Sequence, residues 1–262
     1  MSDDLKLLRE AAIEAGNLAL EHRERGIKVW SKAGGSPVTS ADLAVDKLLN
    51  DRLLGARPDY GWLSEETADD PERLAKSRLF VVDPIDGTVA FMKNKPWWTV
   101  ALAVVENGVP VAAVVHAPTL NETYEASLGG GARLNGAPIQ ASDTDSLDDL
   151  AMLADAQLFE QGIWKDNPWP VMRVDRRNSI AYRMAAVASG AFDAALALSP
   201  KWDWDVVAGS LLVQEAGGRT TDHLGRDYLF NQPTPRQGSL VCAAPGVHPL
   251  LVARCAPIKL PI

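Results

Sequence analysis

A mixed α and β protein is predicted, helical at its start, antiparallel in its middle and alternating between strand and helix towards its end. Three observations predict it. Asp4 to Arg25 is amphipathic at helical spacing, two β-branched runs meet at Asn107-Gly108, and strand and helix signals alternate from Ser179 onward.

Taken in order, Leu5, Leu8, Ala11, Ala12, Ala15, Leu18 and Ala19 share one helical face, and Gly26 supplies a stop. After a flexible Ala33 to Pro37 segment, Thr39 to Asp42 fits the [ST]-x-x-[DE] capping pattern and opens a second helix through Leu54. Leu79 to Val82 reads as a buried strand that stops at Asp83. Asn107-Gly108 predicts a hairpin between strands Thr99 to Glu106 and Val109 to His116, and further turns fall at Gly129 to Gly131 and Asn135-Gly136. The polar stretch Ala141 to Asp149 marks a soft boundary between halves 1–142 and 143–262. Beyond it come a helix from Ser179 to Ser189 ended by Gly190, a strand from Phe192 to Leu198, and a helix from Val206 to Ala216 ended by Gly217-Gly218. Ser239 to Ala244 is a final buried strand and Val247 to Arg254 a final helix. No fixed-period repeat or low-complexity tract argues for a solenoid or a disordered array.

With 47% hydrophobic and 23% charged residues, a chain of 262 residues can bury a substantial core. A net charge of −8 disfavours nucleic-acid polymers and anionic membranes, whose phosphates would be repelled at long range. No run is long and apolar enough to span a bilayer, and the acidic start Met1-Ser2-Asp3-Asp4 lacks the pattern of a secretory signal, so the cytoplasm is expected. Cys242 and Cys255 lack metal or redox spacing and read as reduced structural thiols. His22, His116, His223 and His248 are scattered, and none is expected to ligate metal.

The chemistry concentrates in Asp83-Pro84-Ile85-Asp86-Gly87-Thr88, where a strand delivers two carboxylates, a glycine and a threonine to one turn. Pro84 fixes φ, and the spacing lets Asp86 fold back so that both carboxylates face one point. Glu65-Glu66 follows the apolar Gly61-Trp62-Leu63, and Asp205 opens a predicted helix. Carboxylates gathered at one locus repel one another, and burial sharpens the repulsion, so they require protons or cations. Two divalent cations would balance Glu65, Asp83, Asp86 and Asp205, hold a phosphate and activate a water. Gly87 would let the backbone approach that phosphate. Thr88 offers a hydroxyl for the water's proton, with Asp42 as the acid that could polarise it or simply cap its helix.

These segments, with Trp204-Asp205-Val206-Val207-Ala208-Gly209, resemble in order and separation the three signatures of the inositol monophosphatase family of Mg²⁺-dependent, lithium-sensitive phosphatases. Lys32 and Ser36 to Asp42 resemble that family's mobile N-terminal loop and threonine-partner aspartate. The resemblance implies a layered αβαβα sandwich, α+β in the first half and α/β in the second, usually a homodimer. It implies that Glu65, Asp83 and the Ile85 carbonyl hold a first Mg²⁺, and Asp83, Asp86 and Asp205 a second. A third, weaker ion would use Glu65, and Mn²⁺ could substitute. Thr88 with Asp42 would activate water, Gly87 and Thr88 would contact phosphate through their backbone, and Glu66 would support the site.

The expected substrate is a small phosphorylated metabolite. Val89-Ala90-Phe91 after the signature threonine and Ser199-Pro200-Lys201 before the last motif depart from the inositol pattern. The Asp-Gly-Thr-x-Ala-Phe form and the Trp202-Asp203-Trp204-Asp205 ending look more like bacterial 3'(2'),5'-bisphosphate nucleotidases, with inositol-1-phosphate and histidinol-phosphate phosphatases as alternatives. Asn178, Ser179 and Arg183 are candidate leaving-group contacts. Lys201 could meet a second phosphate or be solvated. Trp97, Trp98, Trp202 and Trp204 are expected in the core rather than stacked on a base. Asp-x-x-Asp spacing argues against a phospho-aspartyl enzyme, and the complete carboxylate set argues against a noncatalytic regulatory binding module.

Overall fold

A computed structural model describes residues 2–32, 34–160 and 162–260. Helix α1 (Asp3–Arg25) is capped by Ser2, whose Oγ accepts from Leu5 N at 3.2 Å. Asp3 and Asp4 in its first turn and His22, Arg23 and Arg25 in its last complement the helix dipole. Strands β1 (Val29–Ser31) and β2 (Pro37–Thr39) pair antiparallel, and the segment expected to be flexible lies largely in the turn between them, where Lys32 N donates to the Ser36 carbonyl at 2.8 Å; Ala33 lies outside the described residues. The capping pattern at Thr39 opens α2 (Ser40–Ala56) as predicted, with both of its reciprocal bonds made.

Strands β3 (Gly61–Ser64) and β4 (Arg78–Asp86), the short helix α3 (Thr88–Met92), and strands β5 (Thr99–Glu106), β6 (Val109–Ala117), β7 (Glu122–Ser127), β8 (Ala132–Leu134) and β9 (Ala137–Ile139) follow. The seven strands form one sheet in chain order, parallel at β3–β4 and antiparallel elsewhere. Asn107 and Gly108, at φ 51° and 83°, close the predicted β5–β6 hairpin as a turn with both central residues left-handed.

The remaining elements are β10 (Ala151–Leu153), β11 (Arg173–Asp175), α4 (Ile180–Ala188), β12 (Ala194–Ala197), β13 (Lys201–Trp202), α5 (Asp203–Glu215), β14 (Arg219–Thr221), β15 (Arg236–Gln237), β16 (Leu240–Ala243) and α6 (His248–Cys255). A second sheet has the order β11-β10-β12-β16-β14, while β13 and β15 form a separate ribbon.

Side-chain alternation assembles these pieces into the αβαβα sandwich. Phe80 and Val82 of β4 and Val100, Leu102 and Val104 of β5 face α1 and α2. Leu79, Val81, Ala101, Ala103 and Val105 point the other way, onto α4 and α5. Those two helices also cover Leu153, Ala195, Leu240 and Cys242 of the second sheet, whose opposite side packs on α6 through Met152, Leu196 and Val241. A sheet covered on both faces needs nearly continuous apolar strands, as β5 has. Two glycines permit close approach. A Cβ on Gly16 of α1 would stand 2.6 Å from Pro118 Cγ, and one on Gly209 of α5 would stand 2.6 Å from Met184 Cβ of α4. Among the described residues no helix is long and apolar enough to cross a membrane.

Three expectations change. Strand β4 continues past Asp83 to Asp86 because its pairing with β5 resumes at Asp86–Thr99 after a register shift. Helix α5 begins at Asp203, so Asp205 sits within its first turn; its carboxylate accepts from Trp202 N at 2.7 Å and closes that turn. Trp98 is fully buried as expected, whereas Trp202 is 41% exposed, stacked on Trp204 with ring centroids 5.0 Å apart and beneath Arg236.

Candidate metal centre

Strand β4 brings Asp83 and Asp86 to one end of the first sheet, and the first turn of α5 brings Asp205 to meet them. One carboxylate oxygen from each lies within 4.8 Å of the other two. The register shift between Asp83 and Asp86 turns both side chains to the same place, which strict alternation would not.

Burial, with the charges of Glu65, Asp86 and Asp205, pushes the Asp83 carboxyl well above the ordinary range. Its Oδ1 is buried and has no hydrogen-bond partner. Burial pushes Asp86 up to about 6, although Ser179 Oγ at 2.7 Å and Ala181 N at 2.6 Å donate to its Oδ2. Burial and the charge of Asp86 push Asp205 up to about 7. An orphaned buried oxygen among mutually repelling carboxylates suits a hard cation with oxygen ligands, so these residues fit Mg²⁺.

Glu65 and Glu66 lie just beyond β3, and the charge of Glu65 raises the carboxyls of Asp83, Asp86, Asp205 and Asp42. Lys32, from the ribbon turn, donates to Oε1 of both glutamates at 2.7 Å. Burial opposes its charge, but the two glutamates outweigh that and hold its pKa above the usual value. Burial lifts Glu66 to about 7 despite the Lys32 contact.

Gly87 has φ 92°, the left-handed conformation glycine accepts, and the chain turns there into α3. Thr88 Oγ1 lies 3.3 Å from Asp42 Oδ1 and 3.2 Å from the Ile85 carbonyl. Asp42 is also the capping acid of α2, so its two readings coexist; burial raises its pKa.

Ser179 corrects the leaving-group expectation. It is fully buried, and its hydroxyl donates to Asp86, accepts from Tyr182 N at 2.8 Å and meets Thr99 Oγ1 at 3.1 Å. No face remains for a substrate. Asn178 is half-buried in the turn before α4. Arg183 is buried, its Nε donating to the Arg177 carbonyl at 2.7 Å, and burial lowers its pKa. Lys201 is half-buried rather than solvated, its Nζ bonded to Ser199 Oγ at 2.8 Å, and burial lowers its pKa. A cavity of about 540 Å³ has Asp155, Asp175, Arg176 and Ser199, the partner of Lys201, in its wall.

Asp46 escaped the sequence reading. One turn after Asp42 on α2, it accepts from Ser64 Oγ at 2.5 Å and from Thr67 Oγ1 at 2.6 Å, fixing the segment that carries Glu65 and Glu66. The i, i+4 spacing of Asp42 and Asp46 on one helical face was the available signal.

Two sheets sandwich a helical layer, and an acidic cluster that could hold a metal ion lies where strand and helix ends meet. The chain belongs to the inositol monophosphatase family, whose model matches residues 1–258. It is 32% identical over 238 residues to the histidinol-phosphatase of Chlorobaculum parvum, covering 88% of this chain and 90% of that protein. Its identity to the Nus factor SuhB of Xylella fastidiosa is 33% over 238 residues, covering 85% of this chain and 83% of the relative. The solved structure of the Thermotoga maritima IMPase superposes with a TM-score of 0.84 at 29% identity, covering 96% of each chain. The protein is a phosphoric monoester hydrolase.

Proposed function

We propose that this chain is a Mg²⁺-dependent, lithium-sensitive phosphatase of a small bisphosphorylated metabolite, of the 3'(2'),5'-bisphosphate nucleotide class. The observation that carries the metal reading is the buried carboxylate of Asp83, which has an unpartnered Oδ1 and offers one oxygen within 4.8 Å of oxygens from Asp86 and Asp205. Glu65, Asp83 and the Ile85 carbonyl would hold one Mg²⁺, Asp83, Asp86 and Asp205 a second, and Glu65 would contribute to a third, with Mn²⁺ as a substitute. The ions neutralise the carboxylates, bind phosphate and acidify a water. Asp42 accepts from the Thr88 hydroxyl, which would orient a water and take its proton while passing its own to the Asp42 carboxylate. Gly87 and Thr88 present backbone to the phosphate, and Glu66 with Lys32 holds Glu65 in place.

The bisphosphate preference is supported by Arg183 and Lys201, two basic groups that both feel the charges of Asp86 in the cluster and Asp155 in the cavity wall, where a second phosphate would be matched. Asn178 lies close enough in sequence to contribute. Histidinol phosphate is the second reading. Asp155 and Asp175 in the cavity wall suit an ammonium group, and the Chlorobaculum parvum relative bears that name. The halves 1–142 and 143–262 each supply ligands, and we place the enzyme in the cytoplasm as a homodimer that binds neither nucleic-acid polymers nor membranes.

Phosphate release from adenosine 3',5'-bisphosphate, histidinol phosphate and inositol 1-phosphate, with Mg²⁺ and with or without Li⁺, tests this. A kcat/KM at least tenfold higher on the bisphosphate supports the lean. A preference for histidinol phosphate transfers the assignment, and no release from any of the three under Mg²⁺ or Mn²⁺ defeats the catalytic reading in favour of a regulatory binding role.

A further inference from the structure

Arg73 is only 2% exposed, carries a full charge and stands apart from the carboxylate cluster. Its Nε and Nη2 donate to the two carboxylate oxygens of Asp69 at 2.5 and 2.9 Å, its Nη1 to Asn231 Oδ1 at 2.5 Å, and its Nη2 also to the Gln232 carbonyl at 3.1 Å. The path continues through Asn231, whose backbone N donates to Asp203 Oδ2 at 3.0 Å. Gln237 Nε2 fills Asp203 Oδ1 at 2.8 Å, and Asp203 N donates to the Pro235 carbonyl at 2.9 Å.

The two ends of this chain of bonds are informative. Asp203 is fully buried, is the first residue of α5 and lies two residues before Asp205. Asp69 lies four residues after Glu65, on a segment that Asp46 grips at Ser64 and Thr67. Burying an arginine and an aspartate on separate elements is expensive unless every charged atom is matched, and apolar residues of similar volume would hold the fold as well. A fully bonded network instead fixes distance and angle, which packing alone leaves softer.

We propose that Arg73 and Asp203 are positioning residues of the metal centre. Through Asn231 they lock the segment bearing Glu65 to the helix end bearing Asp205, so that carboxylates from distant parts of the chain keep the spacing a cation requires. The inference rests on the metal reading above.

Mn²⁺ binding to the substrate-free protein, followed by the electron paramagnetic resonance signal of the free ion, tests it without recourse to turnover. Asn231 has φ 57°, so Asn231→Gly removes the side-chain link without backbone strain, and Asn231→Asp keeps an acceptor for Arg73. Asn231→Gly is expected to weaken Mn²⁺ binding about tenfold, the scale of lost support behind metal ligands. Asn231→Asp should restore binding to within about threefold of wild type by the same measure. The KM for metal should rise while kcat at saturating Mn²⁺ stays nearly constant. Wild-type Mn²⁺ affinity in Asn231→Gly, whatever its melting temperature, overturns the positioning role while leaving the metal centre standing. Absence of Mn²⁺ binding in the wild type overturns the metal reading and this inference with it.

Discussion

The Nζ of Lys32 donates to Oε1 of Glu65 at 2.7 Å, placing a protein cation against a carboxylate that a metal ion would share. A like charge there opposes cation binding, and its loss leaves the Glu65 carboxylate free for the cation. Lys32→Met is therefore expected to lower the half-saturating Mg²⁺ concentration by about threefold, an electrostatic effect of under 1 kcal/mol for a partly solvated pair. A Mg²⁺ titration of initial rates checks this; a higher requirement would mean that Lys32 serves substrate instead.

Asp83→Asn should abolish turnover without unfolding the chain. The wild-type carboxyl is buried among Glu65, Asp86 and Asp205, and it is ionised only at a cost unless a cation is present. The amide removes that repulsion. Thermal melts in EDTA should show a variant at least as stable as wild type, and the upward shift that Mg²⁺ gives the wild type should vanish.

Two histidines outside the metal centre should each cost the fold stability in acid, against the gain from the raised carboxyls of Asp86, Asp205 and Glu66, which take up protons in the folded state. His116 faces Thr123, and His248 faces Thr221, each through a 2.9 Å hydrogen bond, and burial depresses both pKa values to about 4. Below an unfolded pKa of about 6.5 the unfolded chain protonates these imidazoles while the folded chain does not, so the histidine contribution to stability falls as pH drops from about 6.5 towards 4. The loss reaches at most about 2 kcal/mol per histidine at pH 5. Urea midpoints of wild type and His116→Gln at pH 7 and pH 5 isolate it: relative to wild type, the variant should be more stable at pH 5 than at pH 7.

Gly16→Ala should destabilise despite alanine's better helix propensity, worth about 1 kcal/mol. The new Cβ would sit 2.6 Å from Pro118 Cγ and 2.8 Å from His116 Cδ2, forcing α1 off β6. Overpacking of this kind costs about 1–3 kcal/mol, so a net loss in the urea midpoint is expected. An unchanged midpoint would show that α1 can slide without penalty.

Where one residue type carries both local and global information, the sequence was readable. Thr39 and Asp42 announce a helix start by their spacing, and Asn107-Gly108 a hairpin by the left-handed conformations they tolerate. The Asp83 to Thr88 turn was legible because few other jobs need those residues together. Strands β10 and β11 were not, since three residues cannot show a period and their parallel partners lie far along the chain. Ser179 misled for a related reason: a serine before a helix is a cap in any fold, and only the arrival of β4 shows that its hydroxyl is spent on Asp86. Arg73 and Asp203 gave no local signal of this network because their partners, Asn231 and Gln237, lie more than a hundred and about thirty residues away.

Helices α4 and α5 cover both sheets at once, and this shapes how the molecule is made. A nascent polypeptide that has cleared the ribosome only as far as the first sheet carries Leu79, Val81, Ala103 and Val105 on a bare flank, with its natural cover still unsynthesised. Until residue 215 emerges that flank is an adhesive surface, so slow translation of the intervening stretch invites aggregation, and chaperone occupancy should peak in that window.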